Sequence, residues 1–122
     1  MKNLLLVFIG GGTGSVLRYV IGRWATSRYT ITFPWATLGV NILASAALGI
    51  IMAIYLKKPD TNYWMPLLLG AGFCGGLSTF STFSYEGFMM LQKNEIASFA
   101  LYTAVSLLTC IGAVAAGYYA AK

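Results

Sequence analysis

Four long apolar stretches, separated by short polar connections, make up almost the whole chain. The stretches cover residues 4–24, 35–56, 64–90 and 97–119. A helix that crosses a lipid bilayer needs about 20 mostly apolar residues, so each stretch is long enough to span a membrane. The polar connection 57–62 (KKPDTN) contains a proline and ends the second stretch clearly. The pattern predicts an all-α integral membrane protein, in which residues 1–122 form a single domain of four transmembrane helices.

Aromatic residues lie at the ends of these stretches. Trp24, Tyr29 and Trp35 surround the first connection, and Tyr55 and Trp64 flank the second. Tryptophan and tyrosine concentrate where a membrane meets water. Their positions therefore agree with the helix ends predicted from hydropathy.

Composition narrows the class of protein further. The chain has 122 residues, of which 58% are hydrophobic and 9% are charged, with two Cys, three acidic residues and no His. A soluble domain normally carries about 25% charged residues, which indicates a lipid environment here. Zinc sites and charge-relay triads both rely on residue types that are absent or rare in this chain. We therefore expect a protein that is not an enzyme, with Cys74 and Cys110 as packing residues.

The basic residues do not favour one orientation in the membrane. Four spans place both termini on the same side as the connection between spans two and three. That side carries Lys2, Lys57, Lys58 and Lys122, and the other side carries Arg23, Arg28 and Lys93. Orientation follows the Lys and Arg bias of short loops, and a bias of four against three is small. We expect insertion in both orientations and pairing of inverted copies, although a partner or span hydrophobicity could also set the topology.

Span one combines small residues with an arginine inside the apolar stretch. Four of its glycines, at positions 10, 11, 12 and 14, lack the Lys-Ser/Thr ending of a phosphate-binding loop, and they favour close helix packing instead. Arg18 follows within the same span, where a charge is costly unless it reaches water or a partner. It could extend to the membrane surface, or it could face a water-filled vestibule and attract anions.

Spans two and four each carry a polar stripe. In span two, Thr37, Asn41 and Ser45 recur every four residues and share one helix face. The Asn41 amide needs partners near the middle of the membrane, and it could either donate to an anion or hold helices together. In span four, Tyr102 and Ser106 could continue a line of hydroxyl donors or simply bond within the bundle.

Span three contains the most informative segment, residues 72–86 (GFCGGLSTFSTFSYE). Adjacent glycines followed by hydroxyl residues form a poor helix interior, so we expect a break in the third helix between Gly75 and Thr79. Irregular backbone at membrane depth requires burial in protein or a cavity. Freed carbonyls could bind a hard cation such as sodium, shared by both copies of an inverted pair. The alternative is a glycine packing notch without an ion.

Two aromatic rings follow this expected break. Phe80 and Phe83 share a helix face, and their positively polarised ring edges could contact a small anion beside the hydroxyls of Ser81 and Thr82. Taken alone, two phenylalanines in a membrane helix are more often core or lipid-facing residues, and only the neighbouring hydroxyls and the expected break favour a site. Glu86 ends the polar run and is expected to accept hydrogen bonds or pair with a cation.

These residues resemble the small bacterial fluoride channels called CrcB or Fluc. The similarity covers the whole chain and is carried by residues 11–19 (GGTGSVLRY), 37–41 (TLGVN) and, most specifically, 72–86. It implies an antiparallel dual-topology homodimer in the bacterial inner membrane, with two fluoride pathways and a central structural sodium ion. By resemblance, the backbone carbonyls of Gly75 and Ser78 hold sodium and Arg18 lies at the vestibule. The implied pathway residues are Asn41, Phe80, Phe83, Thr37, Ser81, Thr82, Tyr102 and Ser106.

The expected function is passive, selective export of fluoride, which relieves fluoride toxicity. In the polar line of span four, this chain has Cys110 where the resembling family usually has a hydroxyl. The alternative is a proton-coupled exporter of cationic drugs, which needs a membrane-embedded carboxylate; Glu86 is the only candidate. A non-transporting assembly subunit is a third class, but it leaves the polar stripe around Asn41 unexplained.

Overall fold

Helices account for nearly all of the described residues. The structure, a computed structural model, describes residues 1–28 and 33–122, and Tyr29 lies outside them. The helices are α1 (Lys2–Arg28), α2 (Trp35–Lys57), a π-helical segment (Pro66–Cys74), α3 (Gly75–Leu77), α4 (Phe80–Gln92) and α5 (Ile96–Ala121). In these two ranges of the chain no strand is present.

Four helical segments are long and apolar enough to cross a membrane. Three of them are α1, α2 and α5, and the fourth runs over Pro66–Gln92, which combines the π-helical segment with α3 and α4. The prediction of an all-α chain with four helices able to span a membrane is therefore confirmed for the described residues. Most of the residues in α1 and α5 are not buried within the single chain, so wide apolar surfaces remain for lipid or for another chain.

Glycines bring α1 into direct backbone contact with the third span. A Cβ at Gly10 would collide with the carbonyl oxygen of Leu68, and a Cβ at Gly14 would collide with that of Phe73. Gly12, in contrast, faces open space. The packing interpretation of this glycine-rich sequence is thus confirmed at Gly10 and Gly14, where any side chain would separate the two backbones.

A second glycine contact joins α2 to α5. A Cβ at Gly49 would collide with the carbonyl oxygen of Val114, and a Cβ at Gly117 would collide with that of Ala46. These two contacts hold the backbones of α2 and α5 close together. The side chain of Cys74 is buried in the neighbouring core among Val40, Ala44, Ile51 and Leu77.

The third span begins with a widened helical turn. Pro66 lies at its start, where the missing amide proton costs no helical hydrogen bond. At its end, the amide of Gly75 donates to the carbonyl of Gly70, five residues earlier. Such π-type turns are rare and are often associated with functional sites. This turn leads directly into the polar segment of the span.

Candidate functional site

Two residues with extended backbone separate α3 from α4 inside the third span. Ser78 has φ −73° and ψ 157°, and Thr79 has φ −152° and ψ 115°. Neither pair of angles is helical. The backbone groups beside these residues therefore cannot all form the usual helical hydrogen bonds, and they need other partners.

Asn41 of α2 supplies two of those partners. Its Oδ1 accepts a 2.7 Å hydrogen bond from the amide of Thr79, and its Nδ2 donates to the carbonyl of Thr79 at 3.3 Å. In a continuous α-helix the Thr79 amide would donate to the carbonyl of Gly75 instead. Asn41 thus stabilises the extended backbone and releases the Gly75 carbonyl from that bond.

The side chain of Thr79 caps the helix that follows. Its Oγ1 accepts a 3.1 Å bond from the amide of Thr82, and it lies 3.0 Å from the Thr82 hydroxyl and 3.3 Å from that of Ser81. Thr79 is 8% exposed. Thr79 was not among the predicted site residues, although threonine is a favoured residue at the position that caps a helix N-terminus.

Arg18 contacts the same part of the third span from α1. Its Nε donates a 3.0 Å hydrogen bond to the carbonyl of Gly76, and the Ser15 hydroxyl lies 3.5 Å from that oxygen. Arg18 also lines an open cavity of about 1130 Å³. The arginine therefore borders a cavity and holds a carbonyl next to the extended residues, a contact that sequence reasoning did not foresee.

This larger cavity carries charges of both signs. Its lining includes Arg18, Arg23 and Lys93 together with Glu86 and Glu95. It lies between α1, the start of α2 and the polar side of α4. A water-filled space of this kind would lower the cost of placing Arg18 within a span.

Glu86 accepts two hydroxyl hydrogen bonds at the edge of the larger cavity. Thr37 donates to its Oε1 at 2.6 Å, and Tyr102 donates to its Oε2 at 2.7 Å. The expectation that Glu86 accepts hydrogen bonds is confirmed. Tyr102 is fully buried, and the Phe83 ring packs against it in a tilted arrangement at a centroid distance of 4.9 Å. The two hydroxyl protons are therefore directed at a carboxylate.

A smaller cavity of about 250 Å³ lies on the other side of the extended residues. The rings of Phe80 and Phe83 border it with centroids 5.6 Å apart, and the Phe80 side chain is 78% exposed. Its lining is completed by Asn41, Ser45, Ser78, Thr79, Ser106, Leu107, Cys110 and Ile111. Thr79 lines both cavities, so they adjoin at the extended residues.

The predicted site residues fall into three groups around these cavities. Thr37, Thr82 and Arg18 line the larger one, while Asn41, Ser78, Phe80, Phe83 and Ser106 line the smaller one. The remaining three lie close by: Ser81 beside the Thr79 hydroxyl, Tyr102 between Glu86 and Phe83, and Gly75 exposed at the start of α3.

A family model and curated relatives match nearly the entire chain. The model described as "CrcB-like protein, Camphor Resistance (CrcB)" matches residues 5–118. A Leptospira interrogans protein is 40% identical over 121 residues, which are 99% of this chain and 95% of that protein. A Phocaeicola vulgatus protein is 40% identical over 119 residues, covering 98% of both chains.

A third relative, from Rhizobium johnstonii, is 38% identical over 117 residues, covering 96% of this chain and 94% of that protein. All three carry the name "Fluoride-specific ion channel FluC". These names describe channels, in agreement with the expectation that the chain is not an enzyme.

Proposed function

Since the chain belongs to the CrcB family of membrane proteins, we propose that it conducts fluoride passively and selectively across the membrane. One observation carries the proposal: the Asn41 amide, the Phe80 and Phe83 rings and the Ser106 hydroxyl converge on one cavity inside the membrane-spanning bundle. The relatives that cover nearly the same length are named as fluoride-specific channels. We assign fluoride as the ion because of those names, and we infer its route from the cavities.

Selective conduction of fluoride requires replacement of its water by closely placed donors. Asn41 Nδ2 holds the Thr79 carbonyl at 3.3 Å, which is a long hydrogen bond that an anion can compete for. The buried Ser106 hydroxyl has no hydrogen-bond partner, so its proton is available. Phenylalanine edges offer weaker positive charge beside these donors. Several weak sites in sequence allow an ion to enter and also to leave.

We infer the order of contacts from the positions of the cavities. Arg18 and the larger cavity attract the anion first, and Thr82 and Thr79 lead to the adjoining smaller cavity. There Asn41, Phe80 and Phe83 receive it, with Ser81 exposed at the same helix start. Ser106 continues the route along α5. Thr37 and Tyr102 can serve fluoride only if their hydroxyls turn away from Glu86.

The working unit we propose is an antiparallel homodimer with two pathways. Support comes from the four-against-three balance of basic residues between the two sides, which allows both orientations. The exposed Phe80 ring and the openly accessible cavities of a single chain also indicate that another surface completes the pathway. In an inverted pair, the extended residues of the two copies can face each other near the middle of the membrane.

A structural sodium ion suits the carbonyls at this position. The Thr79 amide donates to Asn41 and not to the Gly75 carbonyl, and the Ser78 carbonyl belongs to the extended backbone. Sodium is a hard cation and prefers such oxygen ligands. Two carbonyls from each copy would supply four ligands. Because both copies would bind the same cation, the ion would hold them together. Arg18 donates a hydrogen bond to the intervening Gly76 carbonyl, so the carbonyls of Gly75 and Ser78 remain for the ion.

In the cell we propose that the channel lies in the bacterial inner membrane and lets accumulated fluoride leave down its electrochemical gradient. A proton-coupled drug exporter is not favoured, because the relatives are named as channels. Its required carboxylate, Glu86, is already the acceptor of two hydroxyl bonds.

Efflux from liposomes tests the proposal. Vesicles that contain the purified protein are loaded with potassium fluoride or potassium chloride, and a potassium ionophore balances the charge. We expect rapid fluoride release and chloride release close to that of protein-free vesicles. Equal release of both anions would refute fluoride selectivity. No release of fluoride would refute fluoride conduction. A parallel assay of quaternary-ammonium uptake driven by a proton gradient tests the exporter alternative.

A further inference from the structure

A thiol lines the smaller cavity beside the polar residues of the proposed pathway. Cys110 follows Ser106 by four positions on α5, so both side chains lie on one helix face. Cys110 is partly exposed, whereas Cys74 is only 3% exposed and belongs to the apolar core. Of the two free thiols, Cys110 alone borders the cavity.

The hydroxyl next to this thiol lacks a partner. Ser106 is 8% exposed, and its Oγ is buried without a hydrogen bond. A buried polar atom without a partner costs about 1–3 kcal/mol, and a water or ion that binds there would remove this cost. Ser106 Oγ carries lone pairs that can contact a cation bound nearby. The thiol and the hydroxyl together form a soft and a hard donor on one cavity wall.

We propose that Cys110 is a modification site for soft, thiophilic metal cations, and that its metallation blocks the pathway. The inference rests on the proposed function, because the block requires conduction through the smaller cavity. Thiol sulfur is the protein ligand that selects soft metals. With methylmercury the S–H bond breaks and the proton leaves to water, while mercury releases its bound water or nitrate and forms a sulfur–mercury bond, with no change of oxidation state. The adduct then occupies a cavity of about 250 Å³ beside Asn41 and Phe83.

The test treats the reconstituted protein with methylmercury nitrate in chloride-free buffer. Intact-mass measurement and peptide mapping report the adduct independently of transport. We expect one adduct per chain on Cys110, with Cys74 unmodified, and a loss of fluoride efflux of about tenfold or more, because ions pass the sites in series. Excess dithiothreitol should remove the metal and restore the flux.

Two variants separate this site from other causes. Cys110→Ser should show the same efflux before and after treatment, whatever its own basal rate. Cys74→Ala should remain as sensitive as the unsubstituted protein. The proposal is overturned if Cys110 stays unmodified in the folded protein, or if a complete adduct leaves the flux unchanged. Absence of fluoride efflux before treatment would instead refute the proposed function, and the mass measurement would still decide whether Cys110 binds the metal.

Discussion

At the scale of single residues, Asn41 makes two hydrogen bonds with one side chain, because it accepts from the Thr79 amide and donates to the Thr79 carbonyl. Sequence periodicity placed it on an inward face with Thr37 and Ser45, because a helix repeats every 3.6 residues. Its actual partner, the Thr79 backbone, is 38 positions away in the chain. Such a contact depends on how α2 packs against the third span, and no local pattern encodes that distance. The polar face could thus be predicted, whereas the hydrogen bonds could not.

Replacement of this amide by a carboxylate should stop conduction. Asn41→Asp keeps an acceptor for the Thr79 amide but loses the donor and adds negative charge. Two like charges about 4 Å apart repel by about 4 kcal/mol at an effective dielectric constant of about 20, which corresponds to a slowing of about a thousandfold. Liposome efflux measures the loss, and size-exclusion chromatography verifies that the assembly is intact. Undiminished flux through an intact variant would contradict a role for Asn41 on the pathway.

Arg18 carries a positive charge and donates a hydrogen bond, and two substitutions separate these two properties. Arg18→Gln removes the charge, whereas Arg18→Lys retains it but loses the Nε donor to the Gly76 carbonyl. A hydrogen bond from a charged group contributes about 1.5–3 kcal/mol, so we expect thermal unfolding to show both variants less stable by roughly this amount.

The dependence of flux on salt should distinguish the two variants. Attraction of an anion by an exposed charge is screened beyond about 10 Å at 0.1 M salt. We therefore expect the lysine variant to keep the salt dependence of the unsubstituted protein and the glutamine variant to lose it. Identical salt dependence in all three proteins would argue against anion attraction by Arg18.

At the scale of helices, the third span departs most from regular geometry. Its glycines and hydroxyl residues indicate a weak helix, since both residue types favour other backbone conformations. The extended angles lie at Ser78 and Thr79, at the C-terminal end of the segment from Gly75 to Thr79 that the sequence marked. The π-type turn before it has no comparable signature. Its last bond, from the Gly75 amide to the Gly70 carbonyl, spans five residues, and composition alone does not specify this spacing.

The backbone contact between α1 and the third span can be tested with a pair of glycine substitutions. Gly14→Ala introduces a methyl group against the Phe73 carbonyl, and Gly12→Ala introduces one into open space. Overpacking of a tight contact costs about 1–3 kcal/mol. We expect thermal unfolding in detergent to show this loss for Gly14→Ala only. Equal stability of the two variants would mean that the helices are not held this close.

At the scale of the whole molecule, hydropathy was sufficient to predict four spans, because each needs only length and apolar character. The mutual arrangement of the spans was not predictable in the same way. It depends on which glycines meet a neighbouring backbone: Gly10 and Gly14 do, whereas Gly12 does not. The near balance of basic residues is a property of the entire chain, and it supports the proposed dual topology.

Charge-biased variants test whether both orientations are needed. Asp60→Lys with Thr61→Lys changes the count of basic residues from four against three to six against three. Lys57→Gln and Lys58→Gln with Gln92→Lys change it to two against four. Because orientation follows this bias, each variant should insert one way. We expect fluoride export from cells to fail with either variant alone and to recover on co-expression. Full activity of a single variant with a fixed orientation would contradict the antiparallel pair.

The central claim, passive conduction selective for fluoride, is tested most directly by the reversal potential of a planar bilayer that contains the protein. With potassium fluoride on one side and potassium chloride on the other, a fluoride-selective pore drives the potential far from zero, toward the value set by fluoride alone. We expect this large displacement. A reversal potential near zero with a sizeable current would show that the current is carried by potassium or that chloride passes as readily as fluoride, and either result would contradict selective fluoride conduction.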